Sequence, residues 1–316
     1  SSDKKGESGG GDLSDGHQCL SLSHNNKINI SVTIGTSAAA RFITSHAAAT
    51  TESSSPSPVL ATADSGLFMY RSSEQEVLVG GALTDAGSLV AWFKDLVGKE
   101  HLAELMIDLH RQYRAGDITE LLAAPRVLPF WSGERSTGWR HASSGSITGL
   151  SHHTSPLQLL VSLLDGVMMR LREIILQLDE VVSQPGAGAA IGNNTASFGD
   201  NIGAIVGSGA VLEKWWVWRQ MLADVTNLPV LVLKEKNGET TLNGLAIHML
   251  SSQEEEDIQQ QEDCGEGISD TLYGFEREDI EEVNFPIKEH HILYEERFQE
   301  MRELYNTIHS TNCLQI

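Results

Sequence analysis

The chain has 316 residues, 40% of them apolar, enough for one large domain or two compact ones with a substantial core. Twenty-two basic side chains against 43 acidic ones give a formal charge of −21, which argues against nucleic acid and anionic membranes as partners. Three widely separated cysteines (Cys19, Cys264, Cys313) exclude a disulfide framework or a CxxC metal knuckle, and no apolar run reaches membrane-spanning length. The opening SSDKKGESGGGD is no signal peptide, so the chain reads as soluble and cytoplasmic.

Along the chain, structured segments alternate with low-complexity ones. Ile28, Ile30, Val32 and Ile34 alternate with polar neighbours, the period of a half-buried strand, and the run ends in Gly35-Thr36-Ser37. Ser45–Ala61 has turn and coil composition and reads as an insertion. Short strands are expected at Leu67–Arg71 and Glu76–Gly80, and helices at Asp85–Val97 and His101–Tyr113. The longest helix signal follows Thr154-Ser155-Pro156, with Ser155 as N-cap and Pro156 as first helical residue. Leu160, Leu164, Val167, Leu171, Ile174 and Leu178 then mark one face to about residue 182.

A Gly-, Ala- and Asn-rich insertion, Ser183–Gly199, comes next. It precedes a strand (Ile202–Val206), a Gly207-Ser208-Gly209 turn, a helix (Val211–Thr226), a strand (Leu228–Leu233) and a short helix (Thr241–Leu250). Residues 253–282 carry thirteen acids against one base, Arg277, and so hold −12 of the total charge. The tail His290–Ile308 is amphipathic, with Leu293, Phe298, Met301 and Tyr305 available for docking. The inserts read as disordered, because so few apolar side chains cannot offset ordering entropy. Strand, glycine turn, helix, strand is the order of an α/β fold with helices on a mixed sheet.

Several stretches could carry chemistry. The small residues of Gly35-Thr36-Ser37 let backbone N–H groups and hydroxyls approach phosphate oxygens, although such a tripeptide alone is more often a plain turn. Gly207-Ser208-Gly209-Ala210 has the same ambiguity, and no Gly-Lys-Ser/Thr follows to make it a Walker A loop. The loop Leu128–Trp139 sets Glu134 and Arg135 between glycines and tryptophans, and an ion pair held for structural reasons is the preferred local reading. His152-His153 and His290-His291 lack zinc-site spacing and read as surface residues. Trp215, Trp216 and Trp218 read as packing residues, and the acidic run as a solvated one without EF-hand spacing.

Taken in order, these motifs converge. Ile34-Gly35-Thr36-Ser37-Ala38-Ala39 is followed by Gly80-Gly81-Ala82-Leu83 with Gly87 and Trp92, then by the Pro129–Trp139 loop and Gly145–Leu150. Leu164-Asp165-Gly166-Val167, Gly207–Ala210, Trp218–Val225, Glu239–Ile247 and Tyr294–Phe298 complete the series. The series resembles the carboxy-terminal half of the FGGY family of carbohydrate kinases, and its Gly-Glu-Arg loop leans toward gluconokinase-like members, less firmly toward xylulokinases.

The resemblance implies an actin-like (ribonuclease H-like) ATPase domain, the second of two. Such kinases transfer the γ-phosphoryl of ATP, as its magnesium complex, to a hydroxyl of a small sugar or sugar acid. The domain would span residues 27–250, with inserts at 45–61 and 183–199. It would follow a polar leader (1–26) that carries the end of a preceding domain. An acidic insert (251–285) and a docking terminal helix (286–316) would come after it. Gly35, Thr36 and Ser37 would face the ATP phosphates and Gly87 would line the nucleotide cleft. Gly207, Ser208, Gly209, Ala210 and Glu213 would border the adenosine, with Gly133, Glu134 and Arg135 in a hinge or cleft loop. Glu213 departs from the smaller or amide residues usual there.

By the same resemblance the general base is an aspartate about twenty residues before the Gly-Thr-Ser turn, which selects Asp15, with Asp12 as runner-up. No Asp-x-Gly-Thr loop of the family's first domain occurs in the sequence. That domain, with most sugar contacts and the carboxylates near magnesium, is therefore expected as a separate or preceding partner, and this chain as about half an enzyme, inactive alone. The competing reading is a catalytically inactive nucleotide-binding or interaction module derived from a sugar kinase.

Overall fold

The computed structural model describes residues 27–45, 65–72, 76–182, 201–234, 271–272 and 275–311. Strand β1 (Ile28–Ile34) buries Ile30, Val32 and Ile34 completely, as its alternation requires. The chain turns at Gly35–Ser37 into the antiparallel β2 (Ala38–Ser45), which pairs with β4 (Glu76–Leu83), which in turn pairs with β3 (Phe68–Arg71). A small separate ladder joins β5 (Arg126–Leu128) to β6 (Ser146–Thr148). On the other side of β1 lie the parallel β7 (Ile202–Ser208) and then the parallel β8 (Val230–Leu233). β9 (Thr271–Leu272) and β10 (Phe275–Glu276) form a two-residue ladder, and β11 (Ile280–Asn284) runs antiparallel to β8. The main sheet is thus mixed and seven-stranded, ordered β11-β8-β7-β1-β2-β4-β3.

Helices α1 (Gly87–Val97), α2 (Lys99–Ala115), α3 (Thr119–Leu122) and α4 (Pro156–Val182) follow β4. α5 (Ala210–Lys214) and α6 (Trp216–Thr226) follow β7, and α7 (Lys288–Thr311) closes the described chain. α4 is the central pillar. Its expected face, from Leu160 to Leu178, is fully buried, and so are Leu163, Met168, Met169 and Ile175 on its other sides. A helix buried all round lies between layers rather than on a surface. Its start is fixed by a capping box: Gln158 N–H donates to Ser155 Oγ at 3.2 Å, and Ser155 N–H donates to Gln158 Oε1 at 3.0 Å.

Charges inside this pillar are matched by partners. Asp165 accepts from Arg297 of α7, whose guanidinium also donates to the carbonyls of Leu122, Ala124 and Pro125 at 2.7–3.0 Å. Arg172 pairs with Glu295. A buried guanidinium with its donors satisfied is tolerable, whereas removing one partner strands a charge. The tail helix is therefore integral to the fold, with Tyr294, Phe298 and Met301 buried against the core.

Three expectations need correction. The helix foreseen over Val211–Thr226 is two helices, because Trp215 takes an extended conformation (φ −117°, ψ 101°) between α5 and α6. The acidic segment 251–285 is not wholly an insert: Ile280–Asn284 is a strand of the main sheet, and Glu282 and Asn284 receive hydrogen bonds from Arg219 of α6. His290 is not a surface residue but is 1% exposed, and its partners are described below. Of the insert foreseen at Ser45–Ala61 only Ser45 is described, as the last residue of β2; the rest of it, the insert foreseen at Ser183–Gly199 and the helix foreseen at Thr241–Leu250 lie outside the described residues. Among the described residues no helix is long and apolar enough to cross a membrane.

Candidate functional site

β1, β4, β7 and β8 all point the same way, because β4 is antiparallel to β2, which is antiparallel to β1. Their carboxyl ends share one edge of the sheet, the edge at which open α/β sheets bind ligands. Three connections meet there: the Gly35–Ser37 turn, the β4–α1 junction with Gly87, and the β7–α5 junction with Gly209.

The packing is close enough to require glycine twice. A Cβ on Gly87 would lie 2.4 Å from the carbonyl oxygen of Gly35, and Gly87 N–H donates to that oxygen at 2.9 Å. Gly209 has φ +92°, and a Cβ there would lie 2.6 Å from the oxygen of Ile34. Hydroxyls tie the same loops: Thr33 Oγ1 and Ser208 Oγ are 2.8 Å apart, and Arg41 donates to Thr33 Oγ1 at 2.8 Å.

The first amides of α1 are spent on the turn. Ala86 and Ser88 N–H groups both donate to the carbonyl of Thr36, at 3.0 and 3.1 Å, and Gly87 donates to Gly35. The turn's carbonyls thereby cap the helix, as orphan amides require. The side chains of Thr36 and Ser37 point to solvent, and their hydroxyls have no protein partner among the described residues. This edge can offer two hydroxyls and a small-residue backbone to an anionic group.

Of the residues selected from sequence, Gly35, Thr36, Ser37, Gly87, Gly207, Ser208, Gly209 and Ala210 are gathered at this edge. Gly207 and Ser208 belong to the end of β7 rather than to a turn. Glu213 is exposed, and its carboxylate accepts from Gly209 N–H at 2.8 Å, so it caps the short α5. Asp12 and Asp15 lie outside the described residues.

Gly133, Glu134 and Arg135 sit apart in a second cluster. Glu134 is buried and does not pair with its neighbour Arg135. It accepts from Arg170 (2.8 Å), from Tyr305 (2.7 and 2.9 Å) and from Gly138 N–H (3.2 Å), with Arg140 at 3.4 Å. The ion-pair reading therefore holds with different partners. Burial, and then the Glu134 carboxylate, push the Tyr305 hydroxyl up to about 12, so it stays a donor.

Sequence reasoning missed Asp85, which links the two regions alongside the hydrogen bonds between Ser136 and Ala82. It is 4% exposed and accepts from Ser132 N–H (2.6 Å), Ser132 Oγ (3.1 Å) and Ser88 Oγ (3.1 Å). The available signal was an acid beside a helix start with a serine three residues on. Asp224 was missed as well. Buried in α6, it receives hydrogen bonds from Tyr113, Gln220, Ile287 N–H and His290, all at 2.7–2.9 Å.

The profile of the C-terminal domain of the FGGY family of carbohydrate kinases matches residues 30–250. No curated protein matches the chain in sequence. Among solved structures it is similar to a xyloylose kinase from Brucella ovis, at 17% identity and a TM-score of 0.63, over 91% of this chain and 49% of that one. It is similar to a gluconate kinase from Lactobacillus acidophilus, at 20% identity and a TM-score of 0.60, over 90% and 48%. A Plasmodium falciparum glycerol kinase solved with ADP aligns at 17% identity and a TM-score of 0.57, over 91% and 47%. The chain spans about half the length of these kinases. With the actin-like sheet, the three convergent loops and a profile match over most of its length, the chain belongs to the FGGY family of carbohydrate kinases, as a carboxy-terminal domain.

Proposed function

We propose that this domain is the ATP-binding wall of a carbohydrate kinase that passes the γ-phosphoryl of ATP to a hydroxyl of a sugar or sugar acid, gluconate-like in chemistry. The observation that carries the proposal is the edge where Gly35, Gly87 and Gly209 meet, with the hydroxyls of Thr36 and Ser37 exposed and without a partner among the described residues. Phosphoryl transfer needs positioning and charge stabilisation far more than covalent help, and small-residue turns with free donors suit that task. The gluconate preference rests on the Gly133-Glu134-Arg135 loop, which resembles that of gluconokinase-like members.

The residues present fit the phosphates of ATP, since Thr36 and Ser37 have donors to give and, among the described residues, no side chain blocks the turn at Gly35. Magnesium would bring neutralising charge to those phosphates. Among the described residues no group of three His, Cys, Asp or Glu side chains could hold it. In this reading its carboxylates belong to the family's first domain, together with most sugar contacts, and Asp15 supplies the general base, with Asp12 as the rival. Domain and partner together form the cleft, and this chain alone binds nucleotide weakly without turning over sugar.

The test is a titration of the chain with MgATP, followed by the amide NMR shifts of Thr36 and Ser37. It is paired with a gluconate, xylulose and glycerol phosphorylation assay in the presence of the first domain. Shifts confined to the three loops, with phosphorylation only when both domains are present, are expected. Saturating MgATP without any change at Thr36 would refute the assignment.

A further inference from the structure

The loop that distinguishes this sequence, Pro129–Trp139, reaches the start of α1 through Asp85 and Trp92, and Ser136 of the same loop exchanges two 3.0 Å hydrogen bonds with Ala82 near the end of β4. Asp85 lies two residues before α1 and is nearly inaccessible, yet its carboxylate is filled by three donors from two elements. Ser132 supplies two of them, its N–H and its hydroxyl. Ser88 supplies the third, while Ser88 N–H holds the carbonyl of Thr36 at 3.1 Å. Trp131 meets Trp92 of α1 edge-on at 5.1 Å, so the loop grips the first turns of that helix at two points.

A carboxylate at a helix start also favours the helix dipole, and that alone would explain an acid at this position. It does not explain the contacts to Ser132, which lies 47 residues away and contributes nothing to the helix. The connection runs from the loop through Asp85 to Ser88, and from Ser88 to the backbone of Thr36.

We infer that Asp85 is a positioning residue for nucleotide binding: it fixes the Thr36 turn against the Pro129–Trp139 loop, so that the Thr36 hydroxyl and amide are aimed before ATP arrives. The inference rests on the nucleotide reading given above. Preorganised donors are worth more than donors that must be ordered on binding. The loop is itself held by Glu134 and Tyr305, so the geometry of the turn is set as far away as the last helix.

The experiment is a double-mutant cycle on the full chain, reading MgATP affinity by NMR titration and folding by thermal melting. Asp85→Asn places an amide where three donors converge. It should weaken MgATP binding about tenfold, the loss expected when a charged hydrogen-bond acceptor is removed. In a Thr36→Val background the same change should cost less, because the hydroxyl being aimed is already missing and only the amide is left to position. Ser88→Ala, which cuts one link and keeps the charge, repeats the test should Asp85→Asn not fold. A lowered melting temperature with unchanged MgATP affinity would reduce Asp85 to a helix cap and overturn the inference. So would equal losses in both backgrounds. A wild-type chain showing no response at Thr36 would instead overturn the nucleotide reading, and the inference with it.

Discussion

The hydroxyl of Tyr305, in the last helix, lies 2.7 and 2.9 Å from the two carboxylate oxygens of Glu134, 171 residues earlier in the chain. Arg170 of α4 reaches the same carboxylate at 2.8 Å, and its guanidinium lies 4.5 Å from the centre of the Tyr305 ring. One acid thus joins a loop, the central helix and the tail. Tyr305→Phe removes one donor and leaves Glu134 held by Arg170 and Gly138, so a loss of about 1–2 kcal/mol is expected. Glu134→Ala strands Arg170 in the interior and should cost about 3–5 kcal/mol. Chemical denaturation of both variants decides the matter. A Glu134→Ala loss no larger than that of Tyr305→Phe would contradict the central place of the carboxylate.

His290 gives the fold a pH dependence. Its Nδ1 faces Asp224 at 2.8 Å and its Nε2 faces the Gly116 carbonyl at 3.0 Å. A carboxylate and a carbonyl both accept, so the ring fills both contacts only as the two-proton cation. Burial pulls the imidazole down, but the bonds to Asp224 and Gly116 outweigh it and raise the group above 6.5. Gly116 also ends α2, where a positive charge is favourable. Because the folded value is raised, this stabilisation is fully present below about pH 6.5 and is lost as pH climbs through the folded value. Melting temperatures of the wild type and His290→Gln should therefore converge toward alkaline pH. A gap that widens on raising the pH would reverse the sign and exclude the cationic assignment.

The glycines at the nucleotide edge make a separate prediction. Gly87→Ala drives a methyl to within 2.4 Å of the Gly35 oxygen, which is backbone and cannot swing aside. The turn must move, at about 1–3 kcal/mol of overpacking. Gly209→Ala adds an unfavourable left-handed φ to a comparable clash with Ile34. Both variants should lower the melting temperature and weaken MgATP binding together. Gly98→Ala, at another positive φ but with open space around it, should affect stability alone. Nucleotide binding that survives Gly87→Ala unchanged would detach this edge from the nucleotide.

Much of this was legible in the sequence because it depends on local pattern. The alternation of Ile28–Ile34, the Ser155-Pro156 start of α4 and its buried face follow from period and capping chemistry alone. The gathering of Gly35, Gly87 and Gly209 was reached through family resemblance, since no local rule says that three turns far apart in sequence will touch. What escaped was long-range polar pairing. His290 looked like a surface residue because nothing near it in sequence shows Asp224 or the Gly116 carbonyl. Glu134 looked paired with Arg135 because they are adjacent, whereas its partners come from α4 and α7. The strand at Ile280–Asn284 was hidden by its charge: Glu281 and Glu282 suit an edge strand, but the run reads as solvated acid.

The last prediction concerns the base. In the reading proposed here, a hydroxyl of the sugar loses its proton to Asp15 as it attacks the γ-phosphorus. An asparagine keeps the size and much of the hydrogen bonding of aspartate but cannot accept that proton. In an assembly with the first domain that phosphorylates sugar, Asp15→Asn should lower kcat by about 10²–10⁴-fold, the usual worth of general-base help, while leaving MgATP affinity intact. Thr36→Val should do the reverse. It removes a hydroxyl that the phosphates would engage, weakening MgATP binding by about 0.5–1.5 kcal/mol with a smaller effect on the chemical step. Steady-state kinetics of the two variants separates them, since one change falls on kcat and the other on the nucleotide KM. Asp12→Asn is the control. Loss of activity in Asp12→Asn but not in Asp15→Asn would move the base three residues upstream, and full activity in both would remove it from this segment altogether.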